Sequence, residues 1–393
     1  MKVLHITTDD SGGAGLCCLR LHQSMLELGI ESRVVTLHNK KKVQEEYEYG
    51  GFIDKISKIP SKILRMFGLS ITDRNKVMKL CIQNGTAYSI PCSSVNFLTY
   101  KWTKWADVIH LHWVSNYLDY PSFFKKINKP VVWTLHDENF FFGIAHYSDT
   151  LLVNHPLEIK YAKIKSESIS YAENLSIVML SEYFYHKFKD HKLLKGRTVK
   201  VINNSIDANL FKPIDKDIAR TKLGLTKEDI LIGFTAFSIT DKRKGLDVLS
   251  HTVEKFGMSH MKILAIGTNP DNIVYPNVIS IGACTNPESI SEVLSAADFF
   301  AMPSYQEAFA QSPMEALACG LPIVVFPVSG TSELVNEQNG VICDDFTSDA
   351  LKKGIEILMS RQYDPMKIRQ DVIKRFSPGF IAEQYIKLYK TIM

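Results

Sequence analysis

Glu307 and Glu315 stand eight residues apart in the segment PSYQEAFAQSPMEALACGLPIVV, Pro303 to Val325. The pattern predicts a strand ending at Met302, a loop, and a short helix opening at Ser312 that Gly320 ends. Backbone N–H groups at a helix start favour a bound phosphate, and a carboxylate beside them can accept hydrogen bonds from hydroxyl groups. Ser312-x-x-Glu315 also spells a capping box, which stabilises a helix start without any ligand. Asp241-Lys242-Arg243-Lys244 is a second candidate. Fixed cations of this kind stabilise charge developing on phosphate oxygens, although the same run reads as a solvated polar cluster. His136-Asp137 directly follows an apolar run and is a third. The loop Asp10 to Gly15, DSGGAG, is a fourth, because Gly12 and Gly13 let backbone approach an anion closely. That loop reads equally well as a tight turn. It is not GxGxxG, and no acidic residue ends the following strand, so a nicotinamide cofactor is disfavoured.

These residues need elements to hold them. Short apolar runs at 3–6, 32–37, 106–112, 130–135, 176–180 and 199–202 alternate with helical patterns. The rhythm restarts at 230–234, 262–266, 278–281, 299–302 and 322–326, with helices near Gly245, Pro287, Ser312 and Thr331. Alternation of this kind implies parallel sheets covered by helices on both faces. Two doubly wound domains follow, at 1–205 and 206–375, with a hinge at Phe211-Lys212-Pro213 and a last helix at 380–393. Open sheets of this type bind ligands beyond the carboxyl ends of their strands, where all four candidates lie. His110 and His112 alternate on one strand and point to one face. Core packing is their first reading.

Length and composition agree with this layout. A chain of 393 residues favours two domains. Apolar residues at 45% and charged residues at 22% are ordinary for a globular protein, which excludes collagen, a coiled-coil rod and a disordered chain. A net charge of +4 is too mild to indicate nucleic acid. The seven cysteines form no CxxC or zinc-ligand spacing, so a reducing cytoplasm fits best. No stretch reads as a signal peptide or a membrane span. Asp215-Lys216-Asp217 matches a DxD metal motif by letter, but it falls just past the hinge, so no metal is expected. The basic, apolar stretch 52–67 has an amphipathic period broken by Pro60. A helix packed on its own domain is the first reading, and contact with an anionic membrane surface is the second.

Taken together, the motifs resemble those of the retaining glycosyltransferases of family 4. The segment from Pro303 resembles that family's Glu-x7-Glu region. VINNSIDANLFKP, Val201 to Pro213, resembles its interdomain segment through Asn204, Asp207, Phe211 and Pro213. Arg243-Lys244-Gly245 resembles its donor-phosphate motif, and Ala297-Asp298 and Pro303-Ser304 flank a strand as in relatives. WTLHDENFFFG, Trp133 to Gly143, resembles its Thr-x-His-Asp motif. The likeness covers most of the chain and is weakest over 40–95. Ser238-Ile239 departs from the Gly-Arg pair that many members carry there.

The resemblance implies an α/β GT-B fold, two Rossmann-like domains facing across a cleft. It implies retaining transfer of a hexose from a UDP- or GDP-sugar to a hydroxyl acceptor, with no cofactor and no metal. Lys244 and Arg243 would meet the diphosphate, Glu315 the ribose and Glu307 the sugar. Gln311 and Ser312 would offer backbone N–H groups, with Phe309 and Ala310 in the same donor-binding loop. His136 would face the transferred sugar, Asp137 would orient that ring or the acceptor, and Gly12 and Gly13 would line the cleft. The acceptor would be a saccharide or lipid-linked saccharide of a bacterial capsule, lipopolysaccharide or exopolysaccharide. The protein would then work in the cytoplasm, with 52–67 a candidate contact to the inner face of the membrane. An epimerase or phosphorylase on the same fold, or a non-catalytic saccharide-binding relative, are the alternatives. The interdomain segment and Arg243-Lys244 favour the transferase, and joint retention of Lys244, Glu307 and Glu315 argues against a decayed site.

Overall fold

The computed structural model describes residues 1–49, 73–269, 271, 274–284 and 286–393. The amphipathic stretch 52–67 lies outside them. No helix among the described residues is long and apolar enough to cross a membrane.

The chain forms two units. Unit 1 comprises Met1–Ile202 together with Ala382–Met393, and unit 2 comprises Asn203–Ile381. Unit 1 carries β1 (Lys2–Asp9), β2 (Glu31–His38), β3 (Glu46–Glu48), β4 (Val108–Leu111), β5 (Val131–Leu135), β6 (Leu175–Met179) and β7 (Val199–Val201). They form one sheet in the order β3-β2-β1-β4-β5-β6-β7, and every pairing is parallel. The sequences explain the order. VIHL of β4 and VVWTL of β5 are buried along their whole length, as central strands covered on both faces must be. EYE of β3 is only partly buried and takes an edge.

Unit 2 carries β8 (Ile230–Ser238), β9 (Met261–Thr268), β10 (Val278–Gly282), β11 (Phe299–Met302), β12 (Ile323–Val325) and β13 (Gly340–Ile342). Their order is β10-β9-β8-β11-β12-β13, again parallel throughout. Its core gathers Phe234 of β8, Phe299 of β11 and Phe326 with Leu249 and Leu351 of flanking helices. Burying each such side chain contributes about 1.5–3 kcal/mol.

Both sheets reverse their winding once, unit 1 between β1 and β4 and unit 2 between β8 and β11. At such a switch point the adjacent loops diverge to opposite faces and leave a crevice beyond the strand ends. Three of the four candidate motifs follow strands at a switch point, 10–15 after β1, 241–245 after β8 and 303–315 after β11, and 136–137 follows β5, one strand beyond β4.

Candidate functional site

In unit 2, β8 delivers a turn, Asp241 to Gly245, against the loop that follows β11. Asp241 caps the Lys242–Lys244 turn by accepting from the Arg243 N–H at 3.0 Å. Gly245 then takes φ +78°, and a Cβ there would lie 2.2 Å from the Pro303 carbonyl oxygen. Only glycine satisfies both demands, and the result is a close approach of the two loops. The Tyr305 N–H donates to the Arg243 carbonyl at 2.9 Å across the seam.

Three of the proposed donor-site side chains meet there. Lys244 Nζ donates to Glu307 Oε1. Arg243 Nη1 approaches the same oxygen at 3.3 Å and donates to the Gln306 carbonyl at 2.7 Å, while Nη2 donates to Asp241 at 3.0 Å. The Arg243 fork is therefore largely spent on cross-linking the two loops. Lys244, by contrast, ends in an ion pair with Glu307. Burial by itself would raise the Glu307 carboxyl, but the charges of Lys244 and Arg243 and bonds from Lys244 and Ser304 outweigh it and hold it below the usual range. The cluster is thus two cations around one buried anion.

The following helix, Gln311–Ala318, starts one residue before the predicted Ser312. Its N-cap is Ala310, and no side chain caps it. The Ser312 hydroxyl points elsewhere, at 3.5 Å from the Thr235 carbonyl. The capping box that the sequence spells is therefore not formed. Glu315 is buried in the second turn, and Phe309 and Ala310 are buried in the loop before it. A larger cavity of about 580 Å³ bounded by Ile230, Phe299, Pro322, Arg361 and Tyr363 lies at the amino ends of β8 and β11. That is the wrong end of the sheet for these motifs.

In unit 1, β5 ends at Leu135 and presents His136 and Asp137. Asp137 accepts from the Trp113 indole at 2.8 Å, from the Asn139 N–H at 2.9 Å and pairs with His146 Nδ1 at 2.5 Å. Burial alone would raise its carboxyl, but His146 and these donors hold it low. Asp137 is the anchor of its own loop. Trp113 and His146, which bind it, carry no local sequence signal. Burial lowers His136 to about 4, with Asp137 opposing, so His136 is a neutral imidazole at pH 7. Its Nε2 meets His112 Nδ1 at 3.1 Å. A cavity of about 20 Å³ beside them, bounded by Ser115, Tyr120 and Asn139, suits one water and no sugar.

The same loop is clamped from behind by the helix Pro156–Ser170. Lys165 Nζ, buried, donates to the Asn139 carbonyl at 2.6 Å and side-chain oxygen at 3.0 Å. Burial lowers this lysine from 10.5 to about 7, against the opposing charges of Glu158 and Asp137. Between those two values the unfolded chain holds a proton that the folded one does not, so this group makes the fold more stable as pH rises through the window. The thermal midpoint of the protein relative to Lys165→Met should therefore increase from pH 7 to pH 9.5. A constant difference would show that Lys165 does not titrate there.

After β1, the helix Gly12–Glu27 begins at Ser11 with no side-chain cap. Gly12 has φ +71°, and Gly15 lies so close to β1 that a Cβ would fall 2.5 Å from the Asp9 carbonyl oxygen. Gly13 faces open space. His110 and His112 are buried. His110 is held by Thr134 at 2.8 Å and by Tyr389, from the final helix, at 2.6 Å.

Residues 274–375 match the family model described as glycosyl transferases group 1. The chain is 26% identical over 310 residues to an uncharacterized glycosyltransferase of Methanocaldococcus jannaschii, covering 73% of this chain and 76% of the relative. It is 23% identical over 271 residues to a D-inositol 3-phosphate glycosyltransferase of Segniliparus rotundus, covering 65% of this chain and 58% of that protein's length. Among solved structures, Anabaena HepE in complex with UDP and glucose superposes with a TM-score of 0.66 at 17% identity, with full coverage of both chains. The fold is GT-B, and its second unit carries a glycosyltransferase domain.

Proposed function

We propose that the protein transfers a sugar from a nucleoside diphosphate sugar to a hydroxyl acceptor with retention of anomeric configuration, as a family 4 enzyme. The observation that carries this reading is the Lys244–Glu307–Arg243 cluster at the switch point of unit 2. A diphosphate needs cations and N–H donors, which Lys244 and the uncapped start of the Gln311–Ala318 helix supply. Lys244 is the principal phosphate ligand. Arg243 chiefly fixes the loops, and so sustains the field at the leaving group. Glu307 is an anion beside the phosphate site and accepts from sugar hydroxyls. Glu315 accepts from the ribose.

In unit 1, His136 serves as a neutral hydrogen-bond partner of the sugar and Asp137 sets the loop that presents it. Gly12 and Gly13 keep the loop after β1 low beside the ligand. The diphosphate oxygen that leaves takes the acceptor proton on the same face of the sugar, so the anomeric centre keeps its configuration. The donor is a UDP- or GDP-sugar, and HepE, of the same fold, holds UDP and glucose. The acceptor is a saccharide or lipid-linked saccharide of a bacterial surface polysaccharide, worked on in the cytoplasm.

Charge neutralisation in this scheme comes from Lys244, Arg243 and backbone N–H groups. Transfer should therefore continue in EDTA, and proton NMR of the first-formed product should show the anomer of the donor. Loss of activity in EDTA with recovery in Mg²⁺ or Mn²⁺ would overturn the charge assignment. An inverted product would overturn retention.

A further inference from the structure

Behind His136 lies a row of imidazoles that no transfer step uses. His136 Nε2 meets His112 Nδ1 at 3.1 Å, and His112 Nε2 meets His5 Nδ1 at 3.0 Å. His5 sits on β1 and His112 just past β4, and both are buried. The row ends there, because His5 Nε2 is buried with no hydrogen-bond partner. At its other end, His136 Nδ1 makes no hydrogen bond among the described residues.

The trio His5, His110 and His112 has ligand atoms within 4.8 Å of one another, which raises the question of a metal. The bonding answers it. His110 uses both nitrogens, on Thr134 and Tyr389. His112 uses both, on His5 and His136. Only His5 Nε2 remains, and one free nitrogen is not a ligand set.

Each ring in the row is pushed towards the neutral form. Burial is the main cause at His5, His112 and His136. His110 and His22 add to it at His5, and His110, His5 and His136 add to it at His112; Asp137 alone opposes, at His136. A neutral imidazole has one donor nitrogen and one acceptor. Two contacts between three such rings therefore allow only two arrangements. In one, every proton points outward along the row: His5 Nδ1–H donates to His112 Nε2, His112 Nδ1–H donates to His136 Nε2, and His136 carries its proton on Nδ1. In the other, every proton points inward, and the row ends in a buried His5 Nε2–H with no acceptor. Orphaned buried N–H groups are rare in folded proteins. The first arrangement instead leaves a bare ring nitrogen at the dead end.

We infer that His112 and His5 are positioning residues that fix His136 as the tautomer protonated on Nδ1, so that His136 enters its site as a hydrogen-bond donor. The row acts as a ratchet on one proton position. The dead end at His5 sets the direction and His112 transmits it. The consequence for transfer rests on the reading of His136 given above, but the tautomer does not.

The test is long-range proton–nitrogen NMR on the full chain with ¹⁵N-labelled histidine, with the His136 signals identified by their loss in His136→Gln. The expected spectrum has a protonated Nδ1 and an unprotonated Nε2 on His136, unchanged from pH 8 to pH 6. A proton on Nε2, or an imidazolium at pH 6, would overturn the inference. Two substitutions at 112 give the functional arm. Asparagine places an amide N–H where His112 Nδ1 donates, whereas leucine removes the donor. His112→Leu should give a mixture of His136 tautomers and lower sugar transfer about ten-fold with nucleoside diphosphate affinity unchanged, and His112→Asn should restore most of both. A His136 that stays protonated on Nδ1 in His112→Leu would sink the positioning role. If the protein transfers no sugar, the functional reading fails while the wild-type spectrum still decides the tautomer.

Discussion

Glu307→Gln should slow sugar transfer by about ten- to hundred-fold while nucleoside diphosphate binds as tightly as before or more tightly. The glutamate is an anion held between Lys244 and Arg243. Substitution by glutamine keeps the shape and one acceptor but removes the charge. A hydrogen bond to a charged group contributes roughly 1.5–3 kcal/mol, and about 1.4 kcal/mol is one decade. The sugar loses that much, while the phosphates gain cations no longer shared with a carboxylate. Glu315→Gln provides the contrast. It should weaken nucleotide binding about ten-fold or more through the ribose. Calorimetric titration of nucleoside diphosphate and initial transfer rates decide both. Normal binding in Glu315→Gln with weakened binding in Glu307→Gln would reverse the two assignments.

Much of the frame was legible because parallel strands buried on both faces are nearly continuous apolar runs. Nine strands announce themselves that way, from VLHI in β1 to IVV in β12, and the partly buried edge strands β7 and β10 follow from the same rhythm. The three-residue edge strands β3 and β13 do not. EYE and GVI are too short to show a period, and pairing with the preceding strand, β2 or β12, makes them strands. The helix that holds Glu315 begins at Gln311, and Ser312, inside its first turn, points its hydroxyl towards the Thr235 carbonyl and not at its own helix start. The sequence pattern of a capping box cannot reveal that rotation.

The candidate residues were legible as local motifs, but their partners were not. Lys244 and Glu307 are 63 residues apart, and their pairing depends on the switch between β8 and β11. Gly245 hinted at a turn, yet the contact that demands glycine is the Pro303 carbonyl on another loop. The same holds in unit 1. His110 and Tyr389 are 279 residues apart. His5, read only as part of an apolar strand, gains its meaning from registration beside His110. One signal was available: a histidine in the middle of β1 and two more in and just past β4, on strands that adjoin the switch point.

Unit 2 is proposed to hold a nucleoside diphosphate sugar with Lys244 on the phosphates. The most direct measurement titrates UDP, GDP and the matching nucleosides into the protein and into Lys244→Ala. A ligand at about 100 times its dissociation constant adds about 2.7 kcal/mol to stability, so thermal shift serves as a first screen of the bases. One diphosphate should bind the protein and lose about ten- to hundred-fold in Lys244→Ala, with the corresponding nucleoside weakened far less. Equal losses for diphosphate and nucleoside, or no binding of any nucleotide to the unaltered protein, would contradict that assignment.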